Sequence, residues 1–148
     1  MSGAYKLSLA VQYASDDAHV PTRAQLRRWV KLAIQRDLAM TLRIVDEGEG
    51  RALNQQFRGK NYATNVLTFV NEEADILYGD VVICAPVVAQ EARTQKKNML
   101  AHYAHLTLHA TLHLQGYDHE NEPDAAKMES LETILMAKLG YANPYHEA

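Results

Sequence analysis

Apolar and polar residues alternate along several short segments of this chain, a pattern typical of strands that are buried on one face. Two of these segments alternate closely, and two others are nearly continuous apolar runs, as expected of strands in the middle of a sheet;. Turn-forming or polar residues bound each of them;. We therefore predict four strands, over residues 5–13, 40–45, 65–70 and 80–84.

Helical periodicity and capping signals fill the stretches between and after these strands. Thr22 and Gln25 have the spacing of a capping box, which predicts a helix beginning there;. A short helix from Asp46 is expected to end with Gly59 as its C-cap;. Three further helices are predicted to begin at Pro86, near Asn98 or Met99, and near Pro123, the last reaching Gly140;.

The order of these elements predicts an α+β fold. A strand, a helix and a strand with short joins favour a right-handed crossover onto a parallel neighbour. We expect the polar stretch 71–75 to be a loop before the last strand. At 148 residues the chain has room for one domain, which we assign to residues 1–148, with a four-stranded mixed sheet packed with about five helices;.

Composition excludes several classes of protein. The chain is 47% hydrophobic and 22% charged, and none of its apolar runs approaches the roughly 20 residues needed to span a bilayer;. Because the N-terminus lacks the pattern of a signal peptide, we expect a cytoplasmic protein with no membrane partner;. The lone Cys84 cannot form an internal disulfide and is expected to be a small core residue;.

Charge is distributed unevenly along the chain. The net charge is −3, which argues against a strongly basic nucleic-acid binder;. Residues 1–97 carry thirteen Lys and Arg against eleven Asp and Glu, whereas residues 98–148 carry two against seven. Any contact with a polyanion is therefore expected from the N-terminal two thirds.

Candidate chemistry is concentrated in residues 109–119, H-A-T-L-H-L-Q-G-Y-D-H, since five of the seven histidines fall within 102–119. His109 and His113 are four residues apart, so a helix projects both imidazoles from one face. Gly116 allows a sharp exit from the helix, after which His119 is expected to face the same point. Three imidazoles with an open fourth position predict a catalytic zinc, although nickel, cobalt or copper also suits imidazole ligands.

Neighbouring residues limit this interpretation of the histidine cluster. His102 and His105 lie near the same helical face, and we expect them to pack or to orient a ligand, because further ligands would close the open site. The zincin-like spacing H-x3-H-x5-H matches the metzincin pattern, but Ala110 stands where zinc peptidases place a catalytic glutamate;. A metallopeptidase is therefore disfavoured.

Three blocks of sequence carry a further signal: L-N-Q-Q-F-R-G-K-N-Y-A-T-N-V-L-T-F (53–69), G-D-V-V-I (79–83) and A-H-L-T-L-H-A-T-L-H-L-Q-G-Y-D-H (104–119). In order and spacing they resemble the signature segments of the YbeY family of bacterial metal-dependent endoribonucleases. The chain departs from the residues usual in that family at Ala110, Asn65 and Gln115, none of which is a predicted ligand.

The resemblance implies a zinc-dependent endoribonuclease. It implies one Zn²⁺ per chain held by His109, His113 and His119, and a functional arginine at Arg58. It also implies single-stranded RNA as substrate, with no DNA partner, and a role in maturing the 3′ end of small-subunit rRNA and in ribosome quality control. The alternative to an endoribonuclease in that setting is a ribosome-assembly factor that has a structural zinc and does not cut RNA.

The chemistry of phosphodiester cleavage agrees with these residue types. Arg58 is a candidate catalytic and substrate-binding residue, because a guanidinium pairs with two phosphate oxygens. Lys60 is a weaker second candidate for a phosphate contact. Phe57 and Tyr62 could stack on bases, but we expect them to pack in the core. The sequence leaves open whether water or a ribose 2′-OH attacks, and whether Asp118 or Glu120 acts as a base.

Overall fold

The computed structural model describes residues 5–73, 75–118 and 121–145, and contains four strands and five helices within them. The strands are β1 (Leu7–Ala14), β2 (Leu38–Val45), β3 (Val66–Glu73) and β4 (Ile76–Cys84). The helices are α1 (Arg23–Ala33), α2 (Glu47–Arg58), α3 (Ala85–Thr94), α4 (Met99–Leu114) and α5 (Glu122–Lys138).

The strands form one mixed sheet in the order β1-β2-β4-β3. β1 pairs with β2 and β2 with β4 in parallel, whereas β3 pairs with β4 antiparallel. Helix α1 makes the crossover between β1 and β2, and it begins with the predicted capping box of Thr22 and Gln25. The predicted α+β fold, with a four-stranded mixed sheet and five helices, is confirmed.

The expected loop at residues 71–75 was wrong for residues 71–73. β3 continues through Asn71 to Glu73, and Glu73 pairs with Ile76 at the start of β4, so the two strands form a tight hairpin. Asp75 has a φ of 65°, in the left-handed region that such turns use;. The polar residues are tolerated because β3 is an edge strand, where this end of the hairpin is exposed to solvent;.

The two faces of the sheet carry separate clusters of apolar side chains. Because successive strand residues point to opposite faces, Val81 and Ile83 join the larger cluster with helices α1, α4 and α5;. Val82 and Cys84 join a smaller cluster that includes Leu53 of α2. Cys84 is buried, as predicted. Helices α2 and α4 therefore pack on different faces of the sheet.

Helix α4 is the most buried helix, in agreement with its nearly all-round apolar sequence. Tyr103, Leu108 and Leu112 are fully inaccessible to solvent. Its last turn lies directly on β4, where a Cβ added at Gly79 would lie only 2.4 Å from Leu114 Cδ1. Within the described residues, no helix is long and apolar enough to cross a membrane.

Candidate metal centre

The imidazoles of His109 and His113 lie side by side on the outer part of α4. One helical turn separates them, and their rings are parallel to within 4° with centroids 6.3 Å apart;. His109 is partly buried and His113 is exposed, while the residues between them are buried. Helix α4 is thus anchored by its buried face and presents two aligned imidazoles on the other.

His113 is oriented by the turn that ends α4. Gly116 has a φ of 104°, and its N–H donates to the His113 carbonyl, while the Tyr117 N–H donates to the Leu112 carbonyl. These bonds form the Schellman motif that commonly ends a helix at glycine. The turn brings the Tyr117 carbonyl oxygen 3.0 Å from His113 Nδ1. Nδ1 therefore carries the proton, and Nε2 is the nitrogen with the lone pair.

His109 faces a buried carboxylate on α5. Its Nδ1 lies 3.4 Å from Glu132 Oε2. Glu132 is fully inaccessible to solvent, and its other oxygen accepts hydrogen bonds from His105 Nε2 at 2.5 Å and from the Tyr145 hydroxyl at 2.7 Å. Burial acts to raise the pKa of Glu132, but the hydrogen bonds from His105, His109 and Tyr145 outweigh it and lower the pKa to about 2;. The carboxylate is therefore ionised at neutral pH.

Both histidines suit coordination of a metal through Nε2. In each, Nδ1 faces an oxygen acceptor, and this is the arrangement that fixes the tautomer of metal-binding histidines in proteins;. Among residues 5–73, 75–118 and 121–145, no group of three His, Cys, Asp or Glu side chains is arranged to hold a metal ion. The predicted third ligand, His119, and the candidate base Glu120 lie outside the described residues.

The other two histidines of α4 hydrogen-bond to carboxylates. His102 is 5% exposed, and its Nε2 lies 2.9 Å from Glu91 Oε1 of α3. Glu91 also accepts from the Asn65 side chain, which joins α3 and α4 to the residue preceding β3. His105 contacts Glu132, as described above. Packing and orienting roles, expected from the sequence for these two histidines, agree with these contacts.

Arg58 and Lys60 lie at the end of α2, the helix whose Leu53 packs on the opposite face of the sheet from α4. Arg58 is the last residue of the helix, and Gly59 ends it with a φ of 68°, as predicted. Both basic side chains are exposed, and neither makes a hydrogen bond or ion pair with another described residue.

Two aromatic side chains flank these basic residues. Phe57 and Tyr62 are each 55% exposed, so the expectation that they pack in the core was wrong. The Phe57 ring packs against Phe69 of the edge strand β3, with ring centroids 4.9 Å apart. The buried Asn54 of α2 donates to the Tyr62 carbonyl at 2.7 Å, which ties the segment after the helix back to α2.

Comparison with known proteins identifies the family. Residues 11–140 match the family model described as Endoribonuclease YbeY. The chain belongs to the endoribonuclease YbeY family. It is therefore a nuclease, an enzyme that hydrolyses phosphodiester bonds.

Relatives in this family match almost the whole chain. An endoribonuclease YbeY of Methylobacillus flagellatus is 54% identical over 140 residues, covering 95% of this chain and 94% of the relative. One of Nitrosomonas europaea is 53% identical over 140 residues, covering 95% and 85%. The solution structure of a Thermotoga maritima protein, 26% identical, covers 93% of this chain and 99% of its own with a TM-score of 0.58.

Sequence reasoning did not single out Glu132 or Tyr145. A signal for Glu132 was present, because it lies in the helical stripe of Met128, Leu131 and Leu135, where an acidic residue is unexpected;. Charged residues at buried helical positions are normally paired. Tyr145 carried no comparable signal.

Proposed function

We propose that this chain, over residues 1–148, acts as a single zinc-dependent endoribonuclease domain that cuts single-stranded RNA. The proposed setting is maturation of the 3′ end of small-subunit rRNA and ribosome quality control, with the small ribosomal subunit as partner. Membership in the endoribonuclease YbeY family supports RNA as the substrate class. The resemblance of the sequence blocks to this family supports the ribosomal setting.

The proposal of a zinc site depends on the geometry of His109 and His113. Their rings are parallel, and each has Nδ1 facing an oxygen acceptor. Together with His119 they would hold one Zn²⁺ by three neutral imidazoles, the ligand set of catalytic zinc sites. A bound zinc would supply Lewis acidity toward the phosphate and lower the pKa of a water molecule.

The basic residues at the end of α2 are proposed to bind phosphates of the RNA. Arg58 would donate two hydrogen bonds to non-bridging oxygens of the reacting phosphate, and so stabilise the negative charge that builds up in the transition state. Lys60 would contact a neighbouring phosphate as a point charge. Both side chains are exposed and make no hydrogen bond or ion pair to other described residues, so neither must break such a contact to bind RNA.

A cleavage assay tests the proposal directly. Purified zinc-loaded protein is incubated with end-labelled single-stranded RNA, beside the variants His113→Ala and Arg58→Ala, and the products are separated on a gel. We expect the wild type to cut and each variant to lose at least about a hundredfold in rate, the cost typical of removing one group that stabilises transition-state charge. Circular dichroism establishes that each variant is folded.

Exposed residues of the same types provide the controls. Arg51→Ala removes an exposed arginine of α2, and His19→Ala removes an exposed histidine far from α4 in sequence. Both are expected to cut at the wild-type rate. Equal cutting by every preparation would mean a contaminating nuclease. RNA binding with zinc bound and no cutting by the wild type would favour the non-cutting assembly factor.

A further inference from the structure

Glu132 is the only acidic residue among the described residues that is fully inaccessible to solvent. Burying an ionised carboxylate without hydrogen-bond donors is strongly unfavourable, so the position of Glu132 on α5 requires hydrogen-bond partners. The partners come from three places: His105 and His109 on α4, and Tyr145 beyond the end of α5. One carboxylate thus ties the chain that follows α5 to the helix that carries two predicted ligands.

The two carboxylate oxygens of Glu132 face different partners. Oε1 accepts the short hydrogen bonds from His105 Nε2 and the Tyr145 hydroxyl, which fix the position of the carboxylate. Oε2 lies 3.4 Å from His109 Nδ1. Because an ionised carboxylate only accepts hydrogen bonds, it requires the proton of His109 to be on Nδ1. Nε2 is then the nitrogen with the lone pair.

We propose that Glu132 is a positioning residue of the metal centre, which holds His109 in the tautomer and ring orientation that present Nε2 to a metal ion. This inference rests on the proposed function, since it takes His109 as a ligand. Coordination through Nε2 withdraws electron density from the ring and makes the Nδ1 proton more acidic. A carboxylate acceptor therefore strengthens the bond between the metal and His109, as such partners do at known zinc sites.

The same helix carries a matched control. His102 contacts Glu91 of α3 through a carboxylate–imidazole hydrogen bond of 2.9 Å, so Glu91 has the same chemistry toward a histidine of α4. His102 is not a predicted ligand, and its ring is buried. Removing the charge of Glu91 therefore perturbs a comparable pair without reaching the proposed centre.

The test compares Glu132→Gln with Glu91→Gln. Each replaces a carboxylate by an amide of nearly the same shape. Zinc affinity is measured by competition with a chromophoric chelator, at a temperature where circular dichroism shows each variant to be folded. We expect Glu132→Gln to bind zinc 10- to 100-fold more weakly than the wild type and Glu91→Gln to bind within threefold of it.

A spectroscopic measurement on the wild type is independent of how the variants fold. In zinc-loaded protein with ¹⁵N-labelled histidine, long-range ¹H–¹⁵N correlation should show His109 protonated on Nδ1, with the Nδ1 proton shifted downfield by its hydrogen bond. In Glu132→Gln that proton should move upfield. These signals report the hydrogen bond itself, which a change in overall stability does not mimic.

The outcomes separate this inference from the proposed function. No zinc binding by the wild type would overturn the metal centre, and the inference with it. If the wild type and Glu132→Gln bind zinc with equal affinity, the inference about Glu132 is overturned and the metal centre is not. The same holds if His109 is protonated on Nε2 in the zinc-loaded protein. Equal weakening in both glutamine variants would show a general effect of carboxylate removal and would also overturn it.

Discussion

His102 and His109 are residues of one helix that each face a carboxylate, yet their surroundings differ. His102 is almost completely buried, whereas His109 lies at the edge of the exposed face. Burial lowers the pKa of His102 below its usual 6.5, and the neighbouring Lys97 and His105 lower it further;. Glu91 acts in the opposite direction, because it favours the charged form of the imidazole. His102 is therefore expected to be a neutral structural residue.

The lowered pKa of His102 predicts a pH-dependent stability. Below about pH 6.5 the unfolded chain takes up a proton on this histidine that the native protein resists. Its contribution to stability is therefore full above pH 6.5 and declines as the pH falls below it. The slope is at most about 1.4 kcal/mol per pH unit for one proton.

Urea unfolding of the metal-free protein at pH 7, 6 and 5 tests this. His102→Gln keeps a donor for Glu91 but cannot titrate. We expect the difference in the free energy of unfolding, wild type minus variant, to become smaller as the pH falls. A difference that is the same at all three pH values would show that His102 does not titrate differently in the two states.

At the scale of elements, the site depends on how closely α4 packs against β4. Gly79 lies beneath Leu114, which follows His113 directly in the last turn of the helix. A Cβ at position 79 would lie 2.4 Å from Leu114 Cδ1, 2.9 Å from Cδ2 and 3.1 Å from Cγ. The whole end of the Leu114 side chain would have to move, and it is buried.

Gly79→Ala is therefore expected to destabilise the protein by about 1 to 3 kcal/mol, the usual cost of overpacking a core. Removing the obstructing side chain in Gly79→Ala/Leu114→Ala should make the double variant lose less than the sum of the single losses. Urea unfolding of the four proteins in this cycle measures the coupling. Gly48→Ala, in α2 with no atom within 4 Å of the added Cβ, is the control and is expected not to destabilise;.

Strict additivity in this cycle would contradict the close contact between Gly79 and Leu114. The contact also gives a physical reason for glycine in the G-D-V-V-I segment, which the sequence alone presented only as part of a resemblance. The apolar run of residues 80–84 predicted a strand in the middle of a sheet. It carried no information on which residues of this strand and of α4 meet.

The hairpin of β3 and β4 shows the same limit of sequence patterns at the element scale. Asn71, Glu72 and Glu73 are polar and were expected to form a loop, yet they pair along β4. Hydrophobic periodicity detects a strand only where one face is buried. At the exposed end of an edge strand the backbone hydrogen bonds are sufficient, and these leave no pattern in the sequence.

At the scale of the whole molecule, local and distant contributions to the site could be predicted to different degrees. The pairing of His109 with His113 follows from helical spacing and was predicted. Glu132 is 23 residues further along the chain, and its contact with His109 depends on the packing of α5 against α4. Contacts between residues so far apart in the sequence depend on tertiary structure, which rules of sequence spacing do not describe.

The phosphate contacts proposed for Arg58 and Lys60 predict different kinetic roles for the two residues in the whole protein. A residue that contacts a phosphate beyond the reacting one should matter only for RNA long enough to reach it. We expect Arg58→Ala to lower kcat at every RNA length, since Arg58 is proposed to contact the reacting phosphate. Lys60→Ala should raise KM only for long oligonucleotides. It should also make the plot of log affinity against log salt concentration less steep by about 0.7, the value for one contact to a phosphate of a single strand.

A series of end-labelled single-stranded oligonucleotides of increasing length, assayed for kcat and KM, separates these roles. Lys31→Ala, an exposed lysine of α1, is the control and should change neither constant. If the Arg58→Ala defect is confined to KM and grows with RNA length, Arg58 contacts the flanking strand and not the reacting phosphate. The charge that stabilises the transition state would then have to come from the metal and its ligands, because Arg58 would be too far from the reacting atoms to supply it.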